Sequence, residues 1–420
     1  MIQHVQSNHE DLLIPGLKYD AEPTASYIES CRLVRFRPSA GDRFSPSART
    51  IRFSLQDHCF LEPGSVRMQF QLNNLDASKF LAPIASPASM FTNFKIYVGG
   101  QLCENIEEAG PLCTILDKLK PGARRLNDSM MNHVLLTSDA DIRADLAANQ
   151  SRRVIFELPL GMFKTSKLLP LHLLSGITIE ATLGDAMQAF GAQNTQTTPG
   201  AASTSWDISD CSLLASCLHV NSTISAQYHE HLTKGLTMPI SFASVVGTRS
   251  ISTTSSFTLS LARSLSALKQ LYFVIVKAGT KDVKDFELNV AGVNLDMARD
   301  GFSYQVQVGS HRYPDFPVQG AAESFYRLTQ AAGLASGDGD IAITPATFVA
   351  GSAILAIDFE KVGSAQAAFT GINTQGQVMT LTVNNAWQAS DTDVRSIYCY
   401  QFYDSVLNIR GFAGGVDIVD

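Results

Sequence analysis

The sequence predicts an all-β chain built as two tandem sandwiches of about eight strands each, with a few short helices inserted. Three observations carry this prediction. Segments of strand length, many with period-2 alternation, recur along the 420 residues between clusters of glycine, proline, serine and asparagine. Helical patterns are rare and short. The second half repeats the first in the same order at a nearly constant offset. The length agrees, because one hydrophobic core rarely grows past about 250–300 residues.

In the first half the strand signals are "LVRFRP" (33–38), "TIRFSL" (50–55), "VRMQFQL" (66–72), "FKIYVGG" (94–100), "RVIFELPL" (153–160), "GITIEATL" (176–183) and "ISDCSLLASCLHV" (208–220). "PLCTILDKL" (111–119) reads as a helix with Leu112, Ile115, Leu116 and Leu119 on one face. "SDADIRADLAAN" (138–149) reads as another, capped by Ser138, with Ile142 and Leu146 four apart. "STISAQYHEHLTKG" (222–235) fits either a helix or an extended connector. In the second half, Tyr304, Val306 and Val308 alternate with Gln305 and Gln307 as a half-buried strand, followed by a glycine and a proline-punctuated turn, "GSHRYPDFP". "AAESFYRLTQAA" (321–332) then places Ala322, Phe325, Tyr326 and Thr329 on one helical face.

The two halves superpose as sequences. Val34 falls on Ile240 and Ile51 on Phe257, both 206 residues on. Val66 meets Leu271, Val98-Gly99 meets Val308-Gly309, Val154 meets Leu355, and "SGIT" at 175 meets "TGIN" at 370. Each strand–glycine block leads to a short helix, placed after the fourth strand. The reading is a duplication: an N-terminal arm at 1–27, one roll at 28–220, a linker at 221–235 and a second roll at 236–420. Two face-to-face sheets with Greek-key connections make each copy an eight-stranded jelly roll.

Composition narrows the function. Hydrophobic residues at 45% and charged residues at 17% describe a globular chain. A net charge of -7 argues against gripping nucleic acid over most of the surface. No apolar run approaches the ~20 residues of a membrane helix. The start, "MIQHVQSNHEDLL", does not read as a secretory signal. Seven scattered cysteines without metal spacing suit a reducing compartment and free thiols.

The chemical motifs are weak. His229-Glu230-His231 offers two histidines and no third ligand, so a polar linker is the better reading. "SGDGD" (336–340) lacks the later ligands of a calcium loop. No phosphate-binding loop, nucleophile elbow or paired Cys-x-x-Cys occurs. "KLKPGARR" gathers Lys118, Lys120, Arg124 and Arg125, either for phosphate contact or as a solvated turn after a helix, which is the favoured reading. Asn127, Asn149 and Asn221 match glycosylation triplets by chance. No catalytic, cofactor-binding or metal-ligating residue is therefore assigned, and no cofactor is expected. The tail at 405–420 is apolar for a free terminus. Phe412, Val416, Ile418 and Val419 suit a contact with a neighbouring copy or with their own roll.

The stretches "RTIRFSLQDHCFLEPGSVRMQFQLNN", "NFKIYVGGQLCENIEEAGPLCTILDKLKPGARRLND", "LPLGMFKTSKLLPLHLLSGITIEATLGD" and "YQVQVGSHRYPDFP", the last followed by "AAESFYRLTQAAG", resemble the double jelly-roll major capsid proteins. That lineage includes adenovirus hexon and the capsid proteins of large algal DNA viruses, virophages and Polinton-like viruses. The resemblance covers roughly 30–420 and rests on the arrangement, since no single motif is diagnostic. It implies an icosahedral virion, homotrimeric pseudo-hexagonal capsomers, and assembly inside a host cell. The implied partners are neighbouring capsomers, minor capsid or penton proteins, and the packaged genome or an inner membrane on the interior face. The arm at 1–27 would lie inward or between subunits. Two other classes compete. Tandem carbohydrate-binding jelly rolls would display aromatics, but Trp206 and Trp387 sit near the same late strand of each copy, where packing accounts for them. A bicupin-like metal enzyme would need clustered histidines, and the nine histidines show no grouping in sequence.

Overall fold

The computed structural model describes residues 28–83, 87–132, 146–184, 190–191, 203–277, 295–334, 340–350, 353–360, 371–410 and 415–420. The first half contains β1 (Ile28–Phe36), β2 (Thr50–Leu55), β3 (Arg67–Asn74), β4 (Phe91–Val98), β5 (Gln101–Glu107), β6 (Ser151–Glu157), β7 (Ile177–Leu183) and β8 (Trp206–Val220). Helices α1 (Ala109–Lys118) and α2 (Gly122–Asn132) lie between β5 and β6, and α3 (Ser222–Thr233) follows β8. The second half contains β9 (Thr237–Ser252), β10 (Phe257–Leu261), β11 (Leu268–Lys277), β12 (Ser303–Val308), β13 (His311–Gln319), β14 (Leu355–Asp358), β15 (Met379–Asn384) and β16 (Arg395–Arg410). Helices α4 (Gly320–Ala331) and α5 (Pro345–Ala350) lie between β13 and β14, and β17 (Gly415–Val419) closes the chain.

The first half forms two antiparallel sheets, β1-β8-β3-β6 and β2-β7-β4-β5. The second half forms β9-β16-β11-β14 and β10-β15-β12-β13, the same order shifted by eight strands. Two jelly rolls in tandem result. Alternation explains why these segments became strands. In β2, Ile51, Phe53 and Leu55 point into the core while Thr50, Arg52 and Ser54 point out. In β7, Ile177, Ile179, Ala181 and Leu183 are buried in the same way. A one-residue slip would put each set on the solvent face, so burial fixes the register. Phe70, Phe91 and Phe156 interlock at the centre of the first core with ring centroids 5.8–6.3 Å apart.

Val98 and Val308 end equivalent strands: Val98 pairs with Ile177, and Val308 with Met379. Gly99 and Gly100 both take positive φ (56° and 83°), the geometry of a tight hairpin that twists with its strands. The structure corrects three details of the sequence reading. The segment after Val308 is a strand, β13, so the helix follows the fifth strand and not the fourth. β13 tolerates Pro314 and Pro317 because it is an edge strand, and the Gln305 side chain donates to the Pro314 carbonyl at 2.7 Å. The inward face of α4 is Ser324, Leu328 and Ala331, while Tyr326 is exposed, because a small serine was the buried residue there. Finally, "TGIN" is not the partner of "SGIT": Ile177 begins β7, whereas β15 begins later, at Met379.

Other expectations resolve simply. The connector at 222–235 is the helix α3, with the Asn221 side chain accepting from the Thr223 N–H at 2.9 Å. "KLKPGARR" runs from α1 into a second helix, α2. Most of 138–149, most of "SGDGD", the arm at 1–27, and Phe412 lie outside the described residues.

Candidate functional site

The two rolls meet along a polar and closely fitted seam. Strand β5 and the turn at Gly161–Lys164 in the first roll pack against β9 in the second. Glu104 on β5 is buried at the centre of this contact, at 1% exposure. Its carboxyl accepts from the Gly161 N–H (3.0 Å), the Met162 N–H (2.8 Å) and the Ser244 hydroxyl on β9 (2.9 Å). Burial pushes this carboxyl up from its ordinary value. The three donors and the Lys164 charge pull the other way and only partly offset it.

Backbone approach sets the spacing. A Cβ on Gly161 would lie 1.6 Å from the Ala243 carbonyl oxygen, and one on Gly247 would lie 2.3 Å from the Glu107 oxygen. Only glycine fits either place. Across the same seam Tyr400 on β16 donates to the Glu108 carbonyl at 2.7 Å, and Thr165 donates to the Ser241 carbonyl at 3.1 Å. The Lys120 carbonyl accepts from the Ala342 N–H at 2.9 Å. These bonds hold one roll in a fixed relation to the other.

The sequence motifs land as follows. In the basic cluster, Lys118 is buried, Lys120 reaches Asp128 at 2.9 Å, Arg125 reaches Asp117 at 2.9 Å, and Arg124 lies 3.9 Å from Glu157. Its charges are largely matched within the roll, which fits the structural reading and not a phosphate-binding patch. His229 and His231 sit two apart on a helix, not a strand, so they do not share a face. Both tryptophans are buried, and the Arg395 guanidinium stacks 4.2 Å above the Trp387 ring. Neither offers a sugar platform.

The tail folds back on its own roll. Strand β17 pairs with the end of β16, from Val406 to Arg410, and Val416 and Ile418 pack on the core. Asp420 ties down the terminus: it lies 3.0 Å from Arg263 and accepts from the Ser405 hydroxyl at 2.9 Å. Residues 405–410 belong to β16 itself, where Leu407 and Ile409 are fully buried. Deleting 411–420 is therefore expected to cost roughly 2 kcal/mol of stability, from the lost burial of Val416 and Ile418. Calorimetric melting of the truncated chain checks this.

One cluster was not legible in the sequence. Donor atoms of Asp57, Cys59 and Cys217 converge within 4.8 Å of one another. Asp57 and Cys59 lie on the connection after β2, and Cys217 lies far along β8. The structure joins them by pairing Phe60–Leu61 with Cys217–Leu218.

No protein-family model and no curated protein matches the chain. Solved structures do match its fold. The chain is similar to a chain of the PBCV-1 virus capsid, at 12% identity and a TM-score of 0.65, over 96% of this chain and 100% of that one. It is similar to the Faustovirus major capsid protein, at 11% identity and a TM-score of 0.61, over 95% and 93% of the two chains. It is similar to the mavirus major capsid protein, at 10% identity and a TM-score of 0.55, over 100% and 95%. The chain has the double jelly-roll fold of these proteins.

Proposed function

We propose that this chain is the structural major capsid protein of an icosahedral virus, and that three copies close into a pseudo-hexagonal capsomer. The observation that carries the proposal is the heterologous character of the seam. It joins β5 of the first roll to β9 of the second, so the matching surfaces are β13 of the second roll and β1 of the first. β13 packs on β12 and α4, and β1 packs on β8 and β2. Both display large apolar side chains to solvent: Phe316 at 81% exposure and Leu33 at 70%. A β13-to-β1 contact between copies would repeat the internal seam and cover both of these side chains. Heterologous contacts that return on themselves close rings, and obligate interfaces of this kind bury over roughly 2,000 Å².

The full-length likeness to capsid chains supports the reading. With it go a virion location, a structural and not an enzymatic role, domain boundaries at 28–220 and 236–420, and an inward or inter-subunit place for residues 1–27. Light scattering on the purified full-length protein tests it. The expected particle holds three chains, or a larger shell made of such units. Phe316→Glu and Leu33→Glu should each shift it toward monomer with unchanged circular dichroism. A wild-type chain that stays monomeric at high concentration sinks the proposal.

A further inference from the structure

The convergence of Asp57, Cys59 and Cys217 has the chemistry of a soft-metal site. Both cysteines are buried, and they are free thiols. Their sulfurs and an Asp57 oxygen all lie within 4.8 Å of one another. In a tetrahedral zinc site with Zn–S bonds near 2.3 Å, two ligand sulfurs stand roughly 3.8 Å apart. Small side-chain rotations reach that geometry. The Asp57 carboxylate is already oriented, because one oxygen accepts the His58 N–H at 2.7 Å.

His172 stands beside this connection: the Leu171 N–H donates to the Cys59 carbonyl at 3.1 Å, and the His172 ring lies edge-on to Phe60 with centroids 5.1 Å apart. The half-buried ring also lies 5.6 Å from the His229 ring on α3, which places it on the face of the connection away from the two thiols. Asp57 and His172 also line one open cavity of about 330 Å³, with Gln56, His58, Leu171 and Gly176, which gives an ion a route in from solvent.

We propose that Asp57, Cys59 and Cys217 bind one soft divalent cation of the zinc class, with the fourth position left to solvent. Thiolate ligands select such a cation over magnesium or calcium. Its place in the fold gives it a structural task. It would clip the connection after β2 to β8, just before α3 leaves for the second roll. Cys217 pairs with Arg32 on β1, next to Leu33, so the site adjoins the surface assigned to assembly.

Cobalt(II) is the probe, because tetrahedral thiolate coordination gives it visible and near-ultraviolet absorption. Full-length protein, reduced and stripped of metal, is titrated with cobalt and then with zinc. The expected result is a sulfur-to-cobalt band that saturates at one equivalent per chain and is bleached by zinc. Cys59→Ser with Cys217→Ser should abolish the band. Asp57→Asn should keep it and weaken binding at least tenfold. His172→Ala should leave the band in place, and loss of the band would overturn the three-ligand assignment. Because the serine variant could fold poorly, the wild-type titration decides by itself. No band at one equivalent overturns the site, and so does a Cys59–Cys217 disulfide found by mass spectrometry in protein kept reduced.

Discussion

Gly161→Ala is expected to cost about 3 kcal/mol or more, at the upper end of what overpacking a fitted contact costs. The added Cβ would lie 1.6 Å from the Ala243 carbonyl oxygen, which is backbone and cannot swing away. The turn must therefore move, and Glu104 loses the geometry of its bonds to Gly161 and Met162. Each roll keeps its own core, so the expected damage is to the relation between the rolls. Two measurements check it. Thermal unfolding should split or broaden as the rolls lose coupling, and limited proteolysis should cut the 221–235 connection faster. A variant that melts with wild-type midpoint and sharpness would show that the seam yields without cost.

Glu104→Ala is expected to be comparably severe, at about 3–5 kcal/mol. The substitution strands two buried N–H groups and a hydroxyl that now share one carboxyl, and each unmatched group costs about 1–3 kcal/mol. Glu104→Gln is the finer probe. It keeps the shape but turns an –NH₂ toward a backbone N–H. The pH dependence has a definite sign. Burial holds the folded carboxyl above its ordinary value of 4.5. Folding then takes up a proton in the window from that value up to the raised one. The contribution is fully present below the ordinary value and is lost as pH rises through the folded value. Acid should therefore not open the seam through Glu104, and Glu104→Gln should flatten this part of the stability profile. Denaturant melts between pH 4 and pH 8 on both proteins decide the point.

Much of the fold was readable because a strand with one buried face writes its orientation into alternate residues. Ile51-Arg52-Phe53-Ser54-Leu55 shows it without a structure. The duplication was readable for the same reason, since both copies bury equivalent positions. What failed was punctuation. Pro314 and Pro317 look like a turn until the strand is known to sit at a sheet edge, where a missing donor costs nothing. The face of α4 was misplaced because Ser324, a small polar residue, is fully buried and bonds to the Gly320 carbonyl at 2.6 Å. The seam was hidden altogether. Glu104, Gly161 and Gly247 are unremarkable in sequence, and only the meeting of two rolls gives them their roles. The Asp57, Cys59 and Cys217 group was hidden by distance along the chain, because strand pairing alone makes them neighbours.

Joining two rolls in one chain by a heterologous seam has a consequence in arithmetic. Every ring built from such chains contains an even number of rolls, so a six-roll ring is available and a five-roll ring is not. A closed icosahedral shell must nevertheless place something at its twelve five-fold points. On the proposed assembly the six-roll unit paves the flat facets but does not fit the five-fold corners. On that same proposal, a partner presenting its rolls singly would supply the odd count.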